Sequence, residues 1–493
     1  MAIENLTFPY RDLFVRLFGE RVFLVGGTIR DHLLYGSVKR RRDIDLVVVG
    51  HTFEEIERKL RPQGKTNTVG RSFAVVKFSK GRSSFDISIP RRDHKMGTDA
   101  GSHKNFLVDS GPHITLEEDL ARRDFTCNSI ALRLQDGWIV DPFGGLRAIE
   151  RRRIAMTGPE TFADDPLRVL RAARFASVHG FTIDDVIYVR SKKVRLDGLS
   201  PERVQEELFR TLLESPEPSR GLREYFRLSV LEKLFDPLYR LTLTIQDAVF
   251  HPEADEFGHH TVWAHTLAAV DVAAKLARMF KLEEERTLAL LLATLFHDVG
   301  KPRATRWEFK RGRMTVTSVL HDNHGVVIAD EALGRLRVET RRNYPLKARV
   351  LDLIKNHHRI FDLFSNREKI GFKAIARLVR DMEGEDLLLL LLDFADRRSR
   401  SSEPAEFSEL DEVSRWYLGR KEAWNITQDS IRPLVMGRDL LALGIPGGRK
   451  MGGYLKALYE LQLDGAFDSK AEGLRIFRER ILKDMDQGRN GKR

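Results

Sequence analysis

The chain of 493 residues carries 83 Lys and Arg against 72 Asp and Glu, a formal charge of +11, and is 42% hydrophobic and 31% charged. It therefore reads as an ordinary soluble globular protein of about three domains, and its basic excess suits a polyanionic partner such as nucleic acid, although a merely soluble basic protein would show the same balance. Cys127 is the one cysteine, which excludes an internal disulfide and a multi-cysteine zinc site and fits a reducing cytoplasm. No apolar run approaches the roughly 18 residues of a membrane span, and the opening MAIENLTFPYRDLF lacks the pattern of a secretory leader.

In chain order, residues 1–150 alternate short β-branched runs at 22–25, 45–49, 73–78 and 85–89 with turns and helical patterns. This predicts an α/β head with a small mixed sheet. The first run leads straight into Gly26-Gly27, followed by Thr28-Ile29-Arg30-Asp31 at a helix start. Paired glycines there let the backbone approach a ligand, and the N–H groups of the first helical turn favour an anion. Arg30 adds a charge able to clamp a phosphate; alone, the pattern reads equally as a structural turn.

About a dozen residues on, Asp43-Ile44-Asp45 opens the next run. Period-two spacing puts Asp43 and Asp45 on one face of a strand. Two adjacent hard oxygen ligands are what Mg²⁺ ions bridging a nucleotide's phosphates require. Behind a GG turn, the catalytic reading outweighs a solvated acidic pair. Asp86 is a secondary candidate for a third carboxylate, and equally a solvent-facing strand position. Cys127 reads as a small buried residue rather than a nucleophile.

From 162 to about 240 the periodicity is helical, with Leu167, Leu170, Ala173, Val204, Leu208 and Leu212 at helical spacing. LVGGTIRDHLLYG followed by RRRDIDLVVVG now looks like the nucleotide-binding signature of the class II tRNA nucleotidyltransferase and bacterial poly(A) polymerase family. Four further blocks resemble that family in order: DLARRDFTCNS at 119–129, DPFGG at 141–145, DDPLRVLRAARF at 164–175 and SPERVQEEL at 200–208. The family normally has Glu where Asp164 stands.

The resemblance implies roles for matching positions. Gly26, Gly27 and Arg30 would hold the triphosphate, and Asp43 and Asp45 the catalytic Mg²⁺. Arg123 and Asp124 would contact the incoming sugar and phosphates. Asp165 and Arg168 would meet the base edge, with Arg171 and Arg174 further along the same helix. An acceptor and a guanidinium fork at i, i+3 share a helix face and can complement a Watson–Crick edge; salt-bridged surface is the plainer reading of the three arginines. Residues 94–105 resemble the family's flexible loop, and the basic run 39–42 reads as an RNA contact or a solvated loop.

From about 249 to 398 the chain again reads as almost wholly helical, and it is rich in histidine. His265, His297-Asp298, His321, His357 and Asp396 follow the order H…HD…H…H…D, which resembles the HD phosphohydrolase superfamily. The resemblance implies a divalent metal there, one of Mn²⁺, Ni²⁺, Mg²⁺ or Fe²⁺. His260 is an alternative first ligand, and His324 and His358 are alternatives later. HPEAD at 251–255 resembles the entry to this domain in CCA-adding enzymes. A Gly/Arg/Lys turn near 447–450 reads equally as a phosphate contact or a helix connection.

The expected architecture is a nucleotidyltransferase head at 1–150, an all-α neck at 151–245, an HD domain at 246–400 and a C-terminal helical tail at 401–493. The implied activity is addition of C, C and A to tRNA 3′ ends from CTP and ATP without a template, with phosphatase or 2′,3′-cyclic phosphodiesterase activity at the HD site. Partial A-adding or CC-adding enzymes, poly(A) polymerase, and an HD phosphohydrolase using its head only as an RNA platform are the competing readings.

Overall fold

The computed structural model describes residues 9–36, 44–69, 75–95, 106–310, 312–401, 403, 404, 406, 408–426 and 432–481. Asp43, the basic run 39–42 and most of the 94–105 loop lie outside them. The chain divides between Asp236 and Pro237 into two compact units.

The described strands of the first unit number eleven; Arg153–Ile154 and Thr182–Ile183 pair parallel by themselves, and the other nine are β1 (Val22–Val25), β2 (Ile44–Val48), β3 (Lys65–Val69), β4 (Val75–Lys80), β5 (Ser83–Ser88), β6 (Arg91–Lys95), β7 (Phe106–Ser110), β8 (Ala131–Arg133) and β9 (Ile139–Val140). Seven of them form one sheet in the order β3-β4-β5-β2-β1-β8-β9, and β6 pairs with β7 alone. Within the sheet β2 and β5 are parallel and the other pairs antiparallel, so the sheet is mixed. β1 is VFLV, buried throughout, as a strand flanked on both edges and covered on both faces must be. Phe14 packs edge-on against Phe78 and Phe85 on one side of the sheet. Phe23, Val25, Val47, Leu116, Leu120 and Ala131 form a second core.

Beyond the sheet, helix Leu167–His179 packs on helices Pro201–Glu214 and Pro218–Arg227. Their backbones approach closely because residue 221 is glycine: a Cβ there would lie 2.5 Å from Thr211 Cγ2.

The second unit is mostly helical. Helices Val262–Met279, Glu284–Phe296, Leu346–Asn356 and Asp386–Arg398 share a core of leucine and alanine. The expectation of an almost wholly helical 249–398 needs one correction. Strands Thr305–Lys310 and Arg313–Ser318 pair antiparallel over six residues. TRWEFK and RMTVTS are rich in the aromatic and β-branched residues that pack well on a pleated surface, and Gly312 sits at φ +79 where the hairpin reverses. Residues 432–481 close round a small core of their own that includes Leu440, Leu458 and Phe477. Among the described residues no helix is long and apolar enough to cross a membrane.

Candidate active sites

In the first unit, one cleft of about 490 Å³ collects nearly every residue singled out in the sequence. Gly26, Gly27, Arg30, Asp45, Arg123, Asp124, Asp165, Arg168, Arg171 and Arg174 all line it. Gly26 takes φ +69, and a Cβ there would stand 3.1 Å from an Arg123 guanidinium nitrogen and 3.6 Å from Asp45 Oδ2. The turn thus needs glycine both for its dihedral and for its neighbours.

Asp45 is the one exposed residue of β2, with Ile44 buried on the other face, as the period-two reading required. Its register partner on β5 is Asp86, and both line the cleft. Parallel pairing of β2 with β5 therefore brings Asp86 beside Asp45, which sequence spacing alone left open. Lys77 lies 3.6 Å from Asp86.

Arg30 is buried and does not point freely into the cleft. It donates to Asp31 at 2.6 Å and to Asn128 at 2.7 Å. Helix Leu116–Ala121, started by a Thr115–Glu118 capping box, carries Arg122 and Arg123 at its end. The buried Asp119 holds both guanidinium groups, at 2.6 and 3.1 Å.

The arginines on helix Leu167–His179 are set by carboxylates. Arg171 donates two hydrogen bonds to Asp124, at 2.9 and 2.7 Å. Burial opposes ionisation of Asp124, but the Arg171 charge and the bonds from Asn128 and Arg171 outweigh it and bring its pKa down to about 2. Arg174 is buried against Glu207 at 2.7 Å. Arg168 donates to the carbonyls of Thr161 and Arg122, and Arg203 holds Asp165 at 2.8 Å. These bonds pre-orient the polar groups facing the cleft. The sequence did not single out Arg122, Asn128, Arg203 or Glu207; Arg203 and Glu207 meet partners 38 and 33 residues away. Cys127 is buried, and burial pushes its thiol up to about 12.

In the second unit, His265, His297, Asp298, His321, His357 and Asp396 converge. His265 Nε2 lies 2.9 Å from Asp396, and the Nε2 atoms of His297 and His321 each lie 3.2 Å from Asp298. The His357 ring sits 5.4 Å from the rings of both His297 and His321. The histidines present the same nitrogen inward. Nδ1 of His297, His321 and His357 is tied to the carbonyl three residues earlier, at 2.7, 2.8 and 2.6 Å. A carbonyl only accepts, so Nδ1 carries a proton and Nε2 is the nitrogen that faces the cluster.

Those three Nε2 atoms are buried and form no well-aligned hydrogen bond. Buried polar atoms left unsatisfied are costly, and four imidazoles with two carboxylates are a donor set suited to a transition-type divalent ion. The residues present thus fit a metal. Burial would raise Asp298, but the charges of His297 and Lys301 hold its carboxyl well below the usual range; Arg400 acts likewise against burial at Asp396.

His260 bonds the Glu253 carbonyl at 3.1 Å and takes no part in the cluster, while His265 lies inside it. His324 is exposed, and the His358 ring is tilted against that of His357, with centroids 3.8 Å apart. Glu253, Lys301 and Arg400 went unnoticed as site residues. Glu253 accepts from Nδ1 of His265 at 2.7 Å, Lys301 lies 2.7 Å from Asp298, and Arg400 donates to Asp396 at 2.9 Å. HPEAD was the available signal for Glu253; for the cations it was spacing, since Lys301 and Arg400 follow Asp298 and Asp396 at i+3 and i+4.

Residues 22–155 match the poly A polymerase head domain model, and residues 262–401 match the HD domain model. The fold and its two sites define a nucleotidyltransferase head joined to an HD domain, both metal-dependent types. A multifunctional CCA protein of Stenotrophomonas maltophilia (strain R551-3) is 37% identical over 350 residues, 70% of this chain and 78% of the relative. One of Xanthomonas euvesicatoria pv. vesicatoria (strain 85-10) is 33% identical over 441 residues, 87% and 94%. The chain belongs to the multifunctional CCA protein family. The solved Thermotoga maritima CCA-adding enzyme complexed with tRNA shares the fold, with a TM-score of 0.59, 21% identity and 96% of each chain covered.

Proposed function

We propose that this chain adds C, C and A to tRNA 3′ ends from CTP and ATP without a nucleic-acid template, and that its HD site hydrolyses phosphomonoesters or 2′,3′-cyclic phosphates at RNA ends. The observation that carries the reading is the single cleft that joins a glycine turn, strand carboxylates and a helix bearing Asp165 and Arg168. Relatives of this family, named for CCA, support the choice of nucleotides.

On this reading Asp43 and Asp45, with Asp86 beside Asp45, would hold Mg²⁺, which would offset phosphate charge while an RNA 3′-hydroxyl attacks the α-phosphate and pyrophosphate leaves. Gly26 and Gly27 admit the triphosphate, with Arg30 fixing the turn through Asp31 and Asn128. Arg123 and Asp124 meet the sugar and phosphates. Asp165 and Arg168 read the base edge, while Arg171 and Arg174 keep that wall rigid through Asp124 and Glu207. Rigid donors and acceptors in place of a template strand select the base.

His265, His297, Asp298, His321, His357 and Asp396 hold one of Mn²⁺, Ni²⁺, Mg²⁺ or Fe²⁺, and Glu253 orients His265. We assign the head to 1–150, the neck to 151–245, the HD domain to 246–400 and the tail to 401–493, and place the protein in the cytoplasm with tRNA.

The deciding experiment supplies Mg²⁺, CTP and ATP, separately and together, with labelled tRNAs lacking CCA, lacking only the terminal A, or complete. Ordered addition of C, C and A that then stops is the expected result. Addition of A alone or C alone would make it a partial enzyme, continued A addition a poly(A) polymerase. No incorporation would leave the HD site as the activity.

A further inference from the structure

The hairpin Thr305–Lys310/Arg313–Ser318 stands between the ligand pair His297-Asp298 and His321, and both of its roots are bound to the cluster. Lys301, four residues before the hairpin, lies 2.7 Å from Asp298, and the Ser318 carbonyl at its end accepts from His321 Nδ1 at 2.8 Å. The hydroxyls of Thr305 and Ser318 close its base at 2.8 Å. Gly300 seats the root: a Cβ there would stand 1.9 Å from the His321 carbonyl.

Register then sorts the side chains. Trp307 pairs with Val316 and Phe309 with Met314, so these four share one face. Trp307 is 59% exposed, Phe309 71% and Met314 54%. Large aromatic side chains standing side by side in solvent mark an interaction surface rather than a core. The opposite face carries Arg306, Glu308 and Lys310, with Arg313 at its edge paired to Asp247, so three cations face two carboxylates and the set is net positive. At roughly 3.3 Å per residue, the aromatic face begins on the order of 10 Å from the metal cluster.

We propose that this hairpin is a stacking platform for the single-stranded 3′ end of an RNA. Trp307 and Phe309 take successive bases, and the cations behind them attract the backbone, so the terminal phosphate reaches the HD cluster. Flat π-faces with flanking Lys and Arg are the chemistry that binds single strands without reading sequence. The assignment rests on the HD site being a hydrolase of RNA ends, and it names how that substrate is held.

The test uses the full chain loaded with Mn²⁺ or Ni²⁺. Hydrolysis of a trinucleotide ending in a 2′,3′-cyclic phosphate is compared with that of methyl ribofuranoside 2′,3′-cyclic phosphate, which has no aromatic ring to stack. In W307A/F309A, KM for the trinucleotide should rise about tenfold or more, as loss of base stacking does, with the base-free cyclic phosphate unchanged. W307Y should recover most of the loss. Trinucleotide should also quench a fluorescence component present in wild type and missing in W307F.

Equal KM in wild type and double variant, with no Trp307-specific quench, overturns the platform. Should wild type hydrolyse neither substrate, the hydrolase reading fails by itself, and the quench still decides the platform: its presence supports it and its absence overturns it. Concentration-dependent self-association in sedimentation that disappears in W307A/F309A would assign this face to a second copy of the chain and also overturn the proposal.

Discussion

Asp124 shows how one residue serves both folding and the site. Its carboxylate, brought down to about 2, binds Arg171 on a helix 47 residues away and sits in the nucleotide cleft. The depressed value means that its contribution is full above the unfolded pKa near 4 and is lost as pH falls through about 2. Asp124→Asn should therefore cost about 2 kcal/mol near neutrality, and the gap in denaturant stability from wild type should narrow between pH 5 and 3. A gap independent of pH would show that the carboxylate's charge is not the source. Cys127 gives a simpler check. Burial suppresses its thiolate, so thiol reagents should label it only after unfolding; rapid labelling of the native protein would contradict its placement. Arg174, read from the sequence beside Arg168 as part of the base-reading helix, is buried against Glu207. Removing it by Arg174→Ala strands a buried carboxylate and should cost about 3–5 kcal/mol, lowering the thermal midpoint as well as nucleotide addition. Loss of addition with an unchanged midpoint would refute that structural role.

At the scale of elements, two devices position the chemistry. Strand pairing of β2 with β5 sets Asp45 beside Asp86, and helix ends present His297, His321 and His357, each held by the carbonyl three residues before it. Tight junctions make these elements sensitive to small changes. Gly300→Ala would force a Cβ into the His321 carbonyl and displace the HD ligands, so bound metal measured by mass spectrometry should fall below half of wild type. CTP and ATP incorporation, set in a separate compact unit, should persist; joint loss would show that the two units do not respond independently. The period-two and helical patterns made β1, β2, β4, β5 and the helical stretches after residue 162 legible in the sequence, because side chains alternate on strands and recur every third or fourth residue on helices; β3 and β6–β9 were not singled out. The 305–318 hairpin was missed although Trp307 and Phe309 alternate with Arg306, Glu308 and Lys310, because each strand is only six residues long and is flanked by helical patterns.

For the whole molecule, a net charge of +11 predicts that tRNA binding weakens steeply with salt. A log–log plot of affinity against NaCl should be linear with a slope of several units, whereas a flat plot would mean that few phosphates are contacted. Family and chemistry were legible because the residues that perform them occur as short local blocks: GG before a strand carboxylate, RRD, DDPLR and HD. Local spacing on a strand or helix is enough to put such residues on one face. What only the tertiary structure decided is which distant groups meet: Asp86 beside Asp45, Arg171 on Asp124, and His265 rather than His260 in the histidine–aspartate cluster. Those pairings depend on strand order and helix packing, which bring together residues tens to more than a hundred positions apart, and no periodicity within a short window encodes them.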